Sequence, residues 1–194
     1  RNLLFCSQII DLKVPVVVAL TMMDLDRKKG IEIDVSGLER ELGVPVIPVN
    51  PRKNKGMPQL KKALANTSKF QYVPAKWDFI PNQELAPLAI EGVKSHYPKL
   101  SDYAALHYLI NHENFPLPDV MQETIEQIEI DNKFNPTKTQ AQEIMQRYTR
   151  IKQVMKQNVV EPDPLQRKLF TEQLDNILLH RIWGYLILLS VLFL

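Results

Sequence analysis

Cysteine is nearly missing from this chain, with Cys6 alone among 194 residues. One thiol excludes an internal disulfide framework and a four-cysteine zinc site, and leaves Cys6 as a small apolar residue on a helix face. Glycine is scarce as well. None of the six glycines sits in a G-x-x-x-x-G-K-[ST] pattern, so no element of this sequence cradles phosphates or places Mg2+. Charge of one sign is lacking too: 24 basic and 22 acidic residues leave a net +2, which gives no global footprint for nucleic acid. The four histidines show no metal-binding spacing. His107 and His112 fall about 140° out of phase on a helix. The first residue is Arg1, not Met, with no signal-peptide pattern after it.

Long apolar runs are absent except at one place, the uncharged stretch from Ile182 to Leu194. A bilayer span needs about 20 apolar residues, and this run is shorter but continues to the last residue. It could be a buried core helix. Trp183 and Tyr185 stand at its start, beside Arg181 and near Arg167 and Lys168, which is where interfacial aromatics and cytoplasmic charges belong. A membrane entry is the expectation. Both ends of the chain read as truncations, so a piece of a larger protein is expected.

Two short apolar runs are present earlier. Val16 to Leu20, after Pro15, reads as a strand covered on both faces, and it ends in Thr21-Met22-Met23-Asp24. Val44 to Val49 is a second strand, ending in Asn50-Pro51-Arg52-Lys53. Between them Asp34 or Ser36 can cap a helix over Leu38 to Leu42, with Gly43 at its left-handed C-terminal position. An amphipathic helix (Leu3, Leu4, Ile9, Ile10, Leu12) precedes, and a helix with Leu60, Ala63 and Leu64 follows Gly56. This βα alternation predicts a parallel sheet with crossover helices, of which two strands are visible. In such sheets ligands sit beyond the carboxyl ends of the strands, where both polar tags lie.

From about Phe70 strand-like runs stop and prolines punctuate helical spacing. Helices are expected over Leu85 to Tyr97, Ser101 to Asn111, Val120 to Asn132 and Thr139 to Asn158. In the last, Ile144, Tyr148, Ile151 and Met155 form one apolar stripe. A final helix is expected from Pro164 through Leu165, Leu169, Leu174, Ile177 and Leu178.

Guanine differs from adenine in presenting two donors, N1–H and an exocyclic amine, on one edge. A carboxylate accepts both as a bidentate, charge-assisted pair, and Asp24 is of the required type and in the required place. GTPases carry Asn-Lys-x-Asp here; this chain has Thr21 for Asn and Met22 for Lys. A strand that ends in a helix-capping Asp would look the same. The second loop of GTPases ends in Ser-Ala, whose alanine N–H meets guanine O6. Here the pair is Asn50-Pro51, and proline has no N–H, so Arg52 N–H or the Asn50 amide would substitute, unless Asn50-Pro51 is a plain turn. Asp34-Val35-Ser36-Gly37 matches D-x-x-G but follows the base-reading strand, a chance match. Arg52, Lys53, Lys55, Lys61 and Lys62 read as a solvated face.

In order along the chain, six segments resemble the FeoB family of bacterial ferrous iron transport proteins: Arg1-Asn2-Leu3 with Gln8, Leu12 through Asp24, Lys29 through Asp34, Leu42 through Val46, Arg52 through Gly56, and Thr171 through Gly184 with Arg147-Tyr148. The resemblance covers essentially the whole chain. It implies an α/β fold, part of a P-loop GTPase-type parallel sheet, followed by an all-α helical domain and the start of a transmembrane helix. The expected boundaries are 1–69 for the second half of a G domain, 70–163 for a helical domain of the GDP-dissociation-inhibitor-like kind, 164–181 for a juxtamembrane helix and 182–194 for the membrane entry. Thr21, Met22, Met23 and Asp24 would form the base-recognition loop, and Asn50, Pro51 and Arg52 the second base-contacting loop. GTP or GDP is the implied ligand, with Mg2+ ligands outside this sequence and Fe2+ as the cargo of the longer protein. The partners implied are the remainder of the G domain and the membrane, in a possible oligomer and with no nucleic acid. The implied location is the bacterial inner membrane, with residues 1–181 on the cytoplasmic side. Without a phosphate loop the segment alone should not hydrolyse nucleotide, and Thr21 with Asn50-Pro51 leaves GTP against ATP open. The alternatives are another GTPase whose helical appendage binds RNA or a partner, and a non-enzymatic helical interaction module.

Overall fold

The computed structural model describes residues 2–68, 75, 77–161, 178–180 and 183–193. They fall into two compact units, one of residues 1–23 and 33–159, the other of residues 24–32 and 160–194.

The first unit begins with helix α1, Asn2–Asp11, which buries Ser7, Ile10 and Asp11. Lys13 takes a left-handed turn at φ 60°, and the chain runs extended toward Pro15, as the residue before a proline must. Its ammonium group lies 2.7 Å from Asp78 and bonds the Ala75 and Trp77 carbonyls. Strand β1 is Val18–Leu20, β2 the short Glu32–Ile33, and β3 Val46–Pro48. Between them, α3 is Val35–Leu42. Of the two capping candidates, Asp34 is the cap, accepting the Gly37 N–H at 2.9 Å. Gly43 closes the helix at φ 66°, donating to the Glu39 carbonyl, a conformation open to glycine without steric cost. The D-x-x-G match is thus a helix cap. Helix α4, Met57–Ser68, follows Gly56.

Strands β1 and β3 pair in parallel, Val18 with Val46, Ala19 with Ile47 and Leu20 with Pro48. The expectation that β1 is covered on both faces is not met among the described residues: Ala19 is exposed, and Val18 and Leu20 are half-buried. Two strands cannot enclose each other; full burial of a parallel strand needs neighbours and helices on both sides.

The helical part holds α5 (Pro87–His96), α6 (Asp102–Asn111), α7 (Asp119–Asp131) and α8 (Pro136–Asn158). Ser101 caps α6 through the Ala104 N–H, and Asn135 caps α8 through the Lys138 N–H. Ile90, Val93, Leu106, Leu109 and Ile125 make one fully buried cluster joining α5, α6 and α7. A second cluster joins Ile10, Leu38, Leu42 and Val46 to Phe79, Ile80 and Val154 of α8, with Cys6 packed at its margin. Burial pushes the Cys6 thiol upward from its ordinary value.

The expected apolar stripe of α8 is not its inner face. Ile144, Tyr148 and Met155 are exposed and Ile151 half-buried, while Thr139, Glu143, Arg147, Val154 and Asn158 are buried. The stripe is turned by about 100° from the buried side, one residue's rotation. The inner face is polar because an ion network receives it. Arg147 and Asp11 are both 0% exposed and bond at 2.8 Å. Arg147 also bonds Glu143, Ser7 and Asn82, and its guanidinium lies 4.6 Å above the Tyr103 ring. Asp11 accepts from the Phe79 N–H and from Asn82. Burial raises its carboxyl above the ordinary range, against the pull of Arg147, Phe79 and Asn82.

In the second unit, Asp24 to Lys28 continue helix α2, Met23–Lys28, and Gly30 turns away after it at φ 72°. The apolar run forms a helix, Trp183–Leu192, with Tyr185, Leu186, Leu189 and Val191 exposed. Among the described residues no helix is long and apolar enough to cross a membrane. The helix expected from Pro164 lies outside the described residues up to Ile177, as do Arg167, Lys168 and Arg181.

Candidate nucleotide-base site

Parallel pairing fixes where the two polar tags leave the sheet. The Val49 N–H donates to the Leu20 carbonyl at 2.9 Å, so the chain after β1 and the chain after β3 depart from the same edge. That edge is the carboxyl end of both strands, the position at which α/β sheets bind ligands.

After Leu20 the chain turns sharply. Thr21 is exposed, and Met22 takes φ 61° with its side chain 62% exposed. A left-handed non-glycine residue is uncommon, and strain of this kind gathers at ligand-binding turns. Met23 is half-buried and starts the helix; Asp24 lies in that helix's first turn with its side chain exposed. A carboxylate there is favoured by the helix dipole.

After β3, Asn50 closes a tight loop. Its N–H and C=O exchange hydrogen bonds with Lys55 at 2.9 and 3.1 Å, and its Oδ1 accepts the Lys53 N–H at 3.1 Å. Pro51 opens the 3-10 turn Pro51–Lys53, where its missing N–H costs nothing. Of the two substitutes for the missing donor, the Asn50 amide is oriented by this turn, through the oxygen that accepts from Lys53. The Arg52 N–H donates to no acceptor among the described residues. Pro51, Arg52, Lys53 and Lys55 are exposed, as are Lys61 and Lys62. Gly56, at φ 77°, finishes the loop: a Cβ there would meet the Pro48 carbonyl oxygen at 2.0 Å. Its role was readable only as a helix-preceding glycine, since the close approach joins residues eight apart. The Asp11–Arg147 pair left less trace still, a polar i, i+4 pair on α8 with its partner at the far end of the sequence.

Residues 1–64 match the family model described as Ferrous iron transport protein B. The Fe(2+) transporter FeoB of Leptospira interrogans is 29% identical over 99% of this chain and 28% of its own length. The solved cytosolic domain of L. pneumophila FeoB superposes with TM-score 0.61 at 27% identity, over 82% of this chain and 62% of that one. Together these likenesses support reading the chain as a FeoB fragment. A GDP-bound S. thermophilus FeoB G-domain mutant shares the fold, with TM-score 0.64 and 22% identity over 81% of this chain and 64% of that one. The α/β part is therefore of the FeoB G-domain type, and the chain spans under a third of the length of the Leptospira FeoB relative. Among the described residues no group of three or more His, Cys, Asp or Glu side chains could hold a metal ion.

Proposed function

We propose that this chain carries the base-reading part of a guanine-nucleotide site and the helical element that passes nucleotide state onward, within a FeoB-type Fe2+ transporter. One observation supports this above others: the parallel register of β1 and β3 sends the loops that begin at Thr21 and at Asn50 from one sheet edge. In this reading the Asp24 carboxylate accepts the N1–H and amine of guanine, a charge-assisted pair. The Arg52 N–H supplies the donor to O6 that Pro51 cannot. Asn50 fixes the loop, while Thr21 and Met23 shape the turn that presents Asp24, and exposed Met22 lies against the base. The helices between Pro87 and Asn158 form the coupling element, and the buried Asp11–Arg147 pair ties them to α1. The helix Trp183–Leu192 leads to the bilayer of the inner membrane, with the preceding residues in the cytoplasm. The GDP-bound FeoB relative supports the choice of nucleotide.

The test is Asp24→Asn in a full-length transporter carrying this segment. Exchanging the carboxylate for an amide should weaken GTP binding by about tenfold to a hundredfold and lower GTP-driven iron uptake. Xanthine carries a carbonyl where guanine carries the amine, so XTP should bind the variant better than GTP does. Unchanged GTP affinity together with unchanged uptake removes Asp24 from the base site.

A further inference from the structure

Two helix C-termini meet at a buried pair of titratable groups that the base site does not use. His112 ends α6 as its C-cap, its N–H donating to the Tyr108 carbonyl, and opens the 3-10 turn His112–Asn114. Glu129 lies in the last turn of α7. The His112 Nε2 stands 3.3 Å from Glu129 Oε2, with side-chain exposures of 5% and 18%. Beyond that bond the pair is unsatisfied: His112 Nδ1 and Glu129 Oε1 are buried with no hydrogen-bond partner among the described residues. Buried polar atoms are ordinarily paired, so an orphan on each side marks a joint held by a single bond.

Charge at this joint is one-sided. Both helices bring their negative poles to the pair, which favours a cation there and opposes a carboxylate. Neither helix carries a lysine or arginine in its last turn. Glu113 and Glu126 add like charges that act on Glu129, and His112 is the group that opposes them. Helix α5 packs on both α6 and α7; its Lys94 is held by Asp102, and its Glu91 and His96 are exposed. On α6 His107 meets Asn111, and on α7 Asp131 accepts from Gln127. A neutral His112 therefore leaves an ionised Glu129 buried without a cation, a costly arrangement. Burial raises the Glu129 carboxyl from its ordinary value, with His112 the largest opposing influence.

We propose that the His112–Glu129 pair is a proton-operated latch, closing α7 on the end of α6 while it holds one proton between its members and loosening when that proton leaves to solvent. The proton belongs to the pair, not to either residue alone. A carboxyl raised on docking binds its proton more tightly in the native state. Its stabilisation is complete below the ordinary carboxylate range and is lost as pH rises through the folded value. Mild acid thus stiffens this joint, and rising pH frees it.

The test is hydrogen exchange on the 194-residue chain between about pH 4.5 and about pH 8, each rate divided by its intrinsic value at that pH. Protection of amides 123–131 should fall severalfold as pH rises. Glu129→Gln cannot release the proton in question and should level the α7 profile, while the α8 amides, which follow Asp11, keep theirs. Glu113→Gln removes an exposed like charge and leaves the pair's bond in place; the fall in α7 should then move to lower pH. An α7 profile indifferent to pH in the unaltered chain overturns the latch, and so does a Glu113→Gln profile that does not move. Should Glu129→Gln fail to fold, the Glu113→Gln shift decides alone.

Discussion

Replacing Arg147 by Met tests what holds α8 to α1. The substitution keeps much of the apolar stem and removes the cation, leaving Asp11 and Glu143 buried at 0% and 5% side-chain exposure without their shared partner. Breaking one side of a buried ion pair typically costs about 3–5 kcal/mol, and two stranded carboxylates put this site at the upper part of that range. Against a domain stability of roughly 5–15 kcal/mol, the loss is large enough to read directly from a urea midpoint at constant slope. The sign of the pH dependence follows from Asp11, whose folded carboxyl is raised above its ordinary value by burial, with Arg147 the largest opposing influence. A raised carboxyl means that the native state binds the proton more tightly, so its contribution falls as pH rises through the interval between the unfolded and folded values. Removing Arg147 raises the folded value further and widens that interval. The deficit of the variant should therefore grow from acid to neutral pH and shrink again on acidification. A loss below about 1 kcal/mol at neutral pH, or one indifferent to pH, would refute the reasoning.

Tyr103 lies in the same network, and its phenol is pushed up to about 12 by burial and by the nearby Glu143 and Asp11 charges. Its contribution is complete below pH 10 or so and is lost as pH climbs toward about 12; Tyr103→Phe should flatten alkaline destabilisation followed by urea melts. Gly56→Ala forces a Cβ to 2.0 Å from the Pro48 carbonyl at φ 77°; it should cost about 1–3 kcal/mol and weaken nucleotide binding in the longer protein, measured by fluorescent GDP titration. Gly37→Ala places a Cβ at 1.8 Å from Asn158 Oδ1, whose amide is held by the Val154 carbonyl. It should lower the melting temperature despite alanine's better helix propensity.

Local signals were readable wherever a residue acts on its own neighbourhood. Asp34, Gly43 and Ser101 announce helix ends through side-chain chemistry or backbone freedom, and the two apolar runs announce parallel strands. The loops after β1 and β3 could be paired because strand direction follows from the helix between them. What stayed hidden depends on contacts distant in sequence. Arg147 reads as a solvent-facing helix residue until Asp11, Asn82 and Ser7 surround it. For the same reason hydrophobic periodicity assigned the wrong inner face to α8. Counting apolar residues cannot register a helix side whose burial is compensated by charges from another element. Asn50 shows the converse: a residue considered for base contact also closes its own turn, its side-chain oxygen accepting the Lys53 N–H.

The guanidinium between α1 and α8 also constrains how this protein can be dissected. A recombinant piece starting near residue 70 would keep Arg147 and Glu143 but forfeit Ser7 and Asp11, baring a charged seam in what had been interior. Such a piece should express poorly or associate with itself. A usable helical module must bring the first eleven residues along, by circular permutation or as a separately supplied peptide.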